Sequence, residues 1–560
     1  MASVYGKTVN GQTYYYLREV ARVGGKPKIV SQRYLGKAED IAAAVDGATG
    51  APARTKHLAF GDVAAVWSVL QRLDVVGIID DVVGPRRADA GASVGTYLAL
   101  AALNRVVAPC SKLAFARWWA TTAADRWVKI PARALDHRRF WEAMDALDTG
   151  ALAQVEARLG ARMVTEFGLD LAALALDMTN FATFIDSANP AAPIAQRGHA
   201  KQKRTDLRLV GLGLVVTRDG GIPIVAHPYP GDRPDVAEFS TIVDELTARY
   251  TVMAPAAGLS VVFDAGQNSA ANFAHLADKD LHFVGSLPPS DHPDLLARPR
   301  SEYRSVDEDR FPGLSAVETT VTALGARRRA VLTHSASLHA KQARGFDQTL
   351  AKATRQLGEL AATLARGKTR RDRAAVEAAI AKILRPRWAA RVLTWTLTGQ
   401  SPAEFRLTFT TNDRARQDLE DELFGKRILV TDHEDWPVVE VVASYRSQSK
   451  VEAGFRQLKD PKTVSFSPMF HWTEQKIRVH AFYCVLALAI AHLMRRQAQQ
   501  ADIHLSVREL LAALGTIQET VLLYPSTGGR PKARRILTDH DPTADQLGDL
   551  FAINAYAPKS

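Results

Sequence analysis

Apolar and polar positions alternate with period two between residues 13 and 35. "TYYYLREVARV" and "KIVSQRYL" read as two strands turned at "GGKP", a β-hairpin. From 57 to 165 the period becomes helical. "DVAAVWSVLQRLDVVGIIDDVV", "ASVGTYLALAALNRVV" and "ALAQVEARLGARMVTEF" each carry an apolar face at helical spacing. At 172 short apolar runs bounded by turn residues take over. "LAALALDM" is a strand ending on Asp177. "LRLVGLGLVVT" and "GIPIVAHPY" are strands joined by "RDGG", a tight-turn signal. A helix, "DVAEFSTIVDELTARY", precedes "LSVVFDAG", a strand ending on Asp264. A second helix and the strand "LHFVGSL" complete the order βββαβαβ. Gly211-Leu212-Gly213 lies inside a strand run and opens no helix, so it is no dinucleotide fingerprint.

Residues 288–425 interrupt this order. Strand-like "LSAVETTVTAL" and "RRRAVLTH" are followed by a long amphipathic helix bearing Leu350, Leu357, Leu360 and Leu364, and "RGKTRRDR" turns it into a returning helix. The chain rejoins the earlier pattern at a helix opening near Pro437, with a second helix from about 473 to 499. Six regions are expected. These are a hairpin region over 1–50, a helical domain over 51–168, an α/β core over 169–287 resumed over 426–500, the insertion 288–425, and a tail 501–560 with a helix, a strand pair and a short capped helix.

Composition adds a partner. The 560 residues include 71 Lys and Arg against 60 Asp and Glu, for a net charge of +11 and a pI of about 9.5. That excess points first to nucleic acid, through phosphate contacts and counterion release. Cys110 and Cys484 are the only cysteines and belong to no Cys/His cluster, which argues against a disulfide scaffold or a cysteine zinc site. The N-terminus shows no signal pattern. The apolar run 481–493 is too short to span a bilayer and reads as a buried helix. A cytoplasmic location and no membrane partner are expected.

"YRSQSKVEAGFRQLK", 445–459, places Tyr445, Gln448, Glu452, Arg456 and Lys459 on one face of a helix, with Val451, Phe455 and Leu458 between them. Alone this is an ordinary solvated face. With Asp177 and Asp264 closing two strands, Glu452 becomes the third of three carboxylates drawn from separate segments. Such a set can hold two divalent metals about 4 Å apart, where a water or a 3′-hydroxyl attacks a phosphodiester. All-oxygen ligands suit Mg²⁺, with Mn²⁺ as a substitute.

On these residues the chain resembles bacterial insertion-sequence transposases of the DDE class, in the group with the signature Y-x2-R-x3-E-x6-K. The match is Tyr445, Gln448, Glu452 and Lys459; "ALDMTNF" and "VVFDAGQNS" resemble the two aspartate segments. The resemblance implies an α/β ribonuclease H-like core, a mixed five-stranded sheet with helices, interrupted by a long α+β insertion before the last catalytic helix. It implies Asp177, Asp264 and Glu452 as catalytic residues and ligands of two Mg²⁺. It implies cleavage at element ends and transfer of the 3′-hydroxyl into target DNA, with terminal inverted repeats and target DNA as partners and a homodimer on paired ends, in a bacterial cytoplasm near the nucleoid. Gln448 stands where the signature has arginine, with Arg446 and Lys450 nearby to take over its phosphate contact. Tyr445, Arg446, Gln448, Lys450, Arg456 and Lys459 are therefore expected along a DNA backbone, together with Lys201, Lys203, Arg204 and Arg208 before the second strand. Trp436 and Trp472 are each candidates for stacking on a base. A nuclease without strand transfer, or a DNA-binding descendant without catalysis, carries the same acidic triad and stays open at this point.

Overall fold

A computed structural model describes residues 2–23, 25–49, 52–186, 188–198, 206–253, 258–524 and 533–559. The chain forms two compact units, one of Met1–Val69, Lys112–Asp136 and Gln497–Ser560, the other of Leu70–Ser111 and His137–Arg496.

In the first unit the N-terminal hairpin gains a strand. Ala2–Val9, Gln12–Val23 and Lys26–Gly36 form an antiparallel three-stranded sheet, followed by a helix, Ala38–Thr49. The opening strand was missed because "ASVYGKTV" has only weak alternation. The strand pair of the C-terminal tail, Gln518–Leu523 and Ala533–Leu537, takes Arg54–Ala59 as its third strand. The tail and the start of the expected helical domain thus share one sheet. Glu519 is fully buried there and is neutralised by Arg126 at 2.5 Å and by Arg535.

The second unit is built on one nine-stranded sheet. Its strands are β1 (Ala173–Thr183), β2 (Arg208–Thr217), β3 (Pro223–Pro230), β4 (Ser260–Val262), β5 (His282–Leu287), β6 (Arg304–Ser305), β7 (Leu314–Ala323), β8 (Ala326–Ser335) and β9 (Lys426–Thr431). The order is β6-β7-β8-β9-β5-β4-β1-β2-β3. β1, β4 and β5 run parallel; β2 pairs antiparallel with β1, and β3, antiparallel to β2, runs parallel to β1. Ala173–Leu176 and Ser260–Val262 are buried throughout, which is why the central parallel strands read as unbroken apolar runs. Gly220 and Gly221 turn the β2–β3 hairpin with φ of 93° and 69°. The glycines inside β2 are packing residues. A Cβ on Gly211 would lie 2.3 Å from the Tyr229 ring, and one on Gly213 would lie 2.4 Å from Ile242.

Helices α1 (Asp235–Met253) and α2 (Ala270–Asp278) cover one face, where Phe239, Phe263, Phe273 and Phe283 meet edge to face or tilted. Four of the nine strands come from outside the expected five-stranded core. β6, β7 and β8 lie in the stretch read as insertion, yet they extend the main sheet. The separate module is shorter. It begins with α3 (Ala336–Ala365), continues through a returning helix (Arg373–Leu384) and a two-stranded ribbon (Leu393–Thr398 with Arg406–Thr411), and ends with the helix Asp413–Leu423. Leu357, Leu364, Val376, Ile380, Leu384, Leu397 and Phe405 give it a core of its own. Arg366, Lys368, Arg370 and Arg371 are exposed at its tip.

The module leaves and rejoins the sheet at one point. His334 and Lys426 are cross-strand partners, and Ser335 N–H donates to Gly425 O at 2.9 Å. Replacing 337–424 by a short Gly-containing turn is expected to leave a cooperatively folding protein, because β8 and β9 then form an ordinary hairpin. Circular dichroism melting checks this; loss of the folded transition would make the module part of the core.

Helices α4 (Val438–Arg446), α5 (Gln448–Leu458) and α6 (Glu474–Gln500) follow β9. The expected single helix through 445–459 is broken at Ser447, whose hydroxyl and amide both bond Ser444 O, at 2.6 and 3.0 Å. Among the described residues α6 is the one helix long and apolar enough to cross a membrane, and 94% of that stretch is buried in the protein.

Candidate active site

Three elements carry the three carboxylates. β1 and β4 pair in parallel with Ala173 opposite Ser260 and Ala175 opposite Val262. Continuing that register by two residues sets Asp177 level with Asp264. Asp177 is not at a strand end as expected, since β1 runs on to Thr183. Asp264 follows β4 and caps a short 3₁₀ turn, its Oδ1 accepting Gly266 N–H at 2.8 Å. Asp177 Oδ1 accepts Met178 N–H at 2.8 Å.

Gln448 fixes the third carboxylate. Its side chain, in a residue 8% exposed, donates to Leu176 O at 3.1 Å and to Val262 O at 2.6 Å. It therefore bridges β1 and β4 just before their aspartates. Glu452 lies one helical turn further along α5, exposed and without a hydrogen bond among the described residues. Two turns beyond, Lys459 Nζ donates to Thr179 Oγ1 at 2.7 Å, two residues past Asp177. Glu452 is thus held between two anchors on β1. Val451, Phe455 and Leu458 are buried beneath the helix, as their spacing implied. The three carboxylates share this region without their oxygens all lying within 4.8 Å of one another.

Beside Glu452 opens a cavity of about 320 Å³ lined by Arg427, Tyr445, Arg446, Gln448 and Ser449. Arg427 Nη1 donates to Tyr445 Oη at 3.3 Å, and Tyr445 Oη donates to Ser286 Oγ at 3.0 Å. Arg427 and Arg446 are exposed, and neither has a carboxylate partner among the described residues. Burial and the Arg427 charge press the Arg446 pKa below its ordinary value. Arg427 was absent from the sequence reading. It sits on β9, among residues chosen for a sheet, and nothing in its local pattern marks it.

The expected DNA surface divides. Arg446, Lys450 and Arg456 are exposed around Glu452. Tyr445 and Gln448 are buried and committed to protein partners, so they position and do not face DNA. Arg208 is a brace. Its buried guanidinium donates to the carbonyls of Asp186, Asn189, Ala192 and Ala195, tying down the loop before β2. Lys201, Lys203 and Arg204 lie outside the described residues. Trp436 stacks on His433 at 3.6 Å, whereas Trp472 is 67% exposed.

Residues 172–488, more than half of the chain, match the family model of the transposase DDE domain. The chain belongs to the DDE transposase family. No curated protein matches it. Among solved structures it is similar to the piggyBac transposase in a synaptic complex with hairpin DNA, determined by cryo-EM. The identity is 9% and the TM-score 0.39, over 81% of this chain and 79% of that one.

Proposed function

We propose that the protein is a DNA transposase of a bacterial insertion sequence, which cleaves DNA at the element ends and joins the freed 3′-hydroxyl to target DNA. The observation that carries this reading is the placement of Glu452. Gln448 bridges the two strands that bear Asp177 and Asp264 and sets the glutamate one turn away. The order β5-β4-β1-β2-β3, with β2 alone antiparallel to the other four, supports a ribonuclease H-like core.

The donor set fits hard divalent cations. It consists of three carboxylates on separate elements, with Glu452 free to turn inward. Bound there, two Mg²⁺ or Mn²⁺ ions would supply Lewis acidity toward the attacking and leaving oxygens of the phosphodiester. The chain's own residues do the rest. Gln448 and Lys459 hold α5 in register with β1. Arg427 and Arg446 present two guanidinium groups to backbone phosphates beside Glu452, taking the part of the arginine that the signature has at 448. Lys450 and Arg456 extend the basic surface along the helix.

The N-terminal sheet offers a second DNA surface. Its register puts Tyr5, Lys7, Tyr14, Tyr16, Arg18, Gln32 and Tyr34 on one face. Arg18 lies over the Tyr5 ring at 3.5 Å and donates to Gln32 at 2.8 Å. Residues 2–36 hold six basic side chains and one acidic, Glu19. A basic, aromatic sheet face suits DNA contact. Because two ends must be joined, the working form is a homodimer on paired ends, acting in the cytoplasm near the nucleoid.

A joining assay tests the reading. Pre-cleaved element ends, found as inverted repeats flanking the gene, are incubated with plasmid and Mg²⁺. Covalent joining is expected. Nicking without joining would leave a nuclease, and neither reaction would leave a DNA-binding descendant.

A further inference from the structure

Among the described residues, His282, Asp432 and His433 form the one group of three ligand-type side chains whose ligand atoms all lie within 4.8 Å of one another. The sheet puts them there. β4 and β5 are parallel with Ser260 opposite His282. β9 runs antiparallel to β5 with Thr431 opposite Val284, so Asp432 falls against Phe283 and His433 against His282. Phe283 N–H accordingly donates to Asp432 Oδ1 at 2.9 Å. Ser260, His282 and His433 make one cross-strand row on one face.

The row is already stiffened. Ser260 Oγ and His433 Nε2 are 2.6 Å apart, and His282 Nδ1 and Asp432 Oδ2 are 3.0 Å apart. The two imidazoles lie 4.4 Å apart, and Trp436 covers His433. Arg329 holds the carbonyls of His433 and Trp436 at 2.7 Å each, and its charge is paired with Glu318 at 2.6 Å. The loop between β9 and α4 is thus fixed with two imidazoles and a carboxylate facing one another. The His282 and Asp432 side chains are 44% and 35% exposed, which gives an ion a way in.

Asp264 stands on the same face of the same strand line, four residues past Ser260. At about 3.3 Å per residue that is about 13 Å, too far for one ion to serve both places.

We propose that His282, Asp432 and His433 form a second metal site, for a divalent first-row transition ion, separate from the carboxylate site. Imidazole nitrogen suits Zn²⁺, Ni²⁺ or Cu²⁺ and disfavours Mg²⁺. Two imidazoles and one carboxylate make a three-ligand set that water completes to four. Its place defines its role. The ion clips the start of β5 to the loop that opens α4, and α4 leads through Ser447 into the helix bearing Glu452. The site is a staple for the returning half of the core.

The test uses the full-length protein, stripped with chelator and titrated with Co²⁺ in excess Mg²⁺. One equivalent of Co²⁺ is expected to develop visible ligand-field absorption that Mg²⁺ does not displace and Zn²⁺ does. Zn²⁺ is expected to raise Tm. His282→Ala and Asp432→Asn should each weaken Zn²⁺ binding at least about tenfold, while Asp264→Asn leaves it unchanged. His282→Cys keeps a ligand and should add a thiolate-to-cobalt charge-transfer band, a readout that stands even if His282→Ala does not fold. No absorption in the unmodified protein overturns the site. So does a cobalt spectrum that neither His282 substitution alters. Neither result bears on whether the protein joins DNA.

Discussion

Glu452→Gln is expected to lower end cleavage and strand joining by about three orders of magnitude while leaving fold and DNA affinity unchanged. The side chain is exposed and bonds nothing among the described residues, so stability should move by no more than about 0.5 kcal/mol. On the proposed reading, DNA affinity rests on cations elsewhere, among them Arg427, Arg446, Lys450 and Arg456. What the amide loses is the negative charge that a divalent cation requires. Several kcal/mol of transition-state stabilisation goes with it, at about 1.4 kcal/mol per factor of ten. Quantitative gel assays of nicking and joining in Mg²⁺, beside filter binding, separate the two effects. A variant that joins ends at near the original rate would return Glu452 to an ordinary solvated position.

The second large effect is at Gln448, and its direction runs against the signature. By motif alone, Gln448→Arg restores a lost phosphate contact. The structure predicts damage. Nε2 satisfies two buried carbonyls, Leu176 O and Val262 O. An arginine is longer and charged. Turned toward the cavity it abandons both carbonyls; kept in place it buries a charge in a filled space. Leaving buried acceptors unpaired costs about 1–3 kcal/mol each. A displacement of α5 by about 1 Å would cost the reaction on the order of 100-fold. Denaturant unfolding and joining kinetics should both worsen. Unchanged stability with tighter binding to DNA ends would instead put position 448 on the DNA surface.

Much of this site is legible in the sequence because its causes are local. Strand runs leading to Asp177 and Asp264 follow from apolar patterning, though not the extension of β1 past Asp177 to Thr183, and the helix of Glu452 follows from the spacing of Val451, Phe455 and Leu458. The break at Ser447 was not legible, since it depends on a serine bonding back to Ser444. Nor was the true extent of the sheet. β7 and β8 look like insertion strands in one dimension, and only pairing with β9 across the module makes them part of the core. Gln448 shows the same limit from the other side. Its position in the motif suggested DNA, whereas its partners lie 272 and 186 residues earlier in the chain. Arg208 read as one more cation in a basic run, until the loop before β2 closed round it.

The module between β8 and β9 also sets a timetable for synthesis. β5 ends at residue 287 and its partner β9 at 431, a gap of 144 residues. At about 5–20 residues per second, the free edge of β5 waits about 7–29 s for the strand that joins it to β8. The module has largely local contacts and can fold during that wait. The acidic triad, by contrast, lacks its glutamate until the ribosome has passed residue 452. On the proposed reading, a nascent or truncated chain would therefore carry both aspartates and the N-terminal basic sheet, and so reach DNA, before it could cut it.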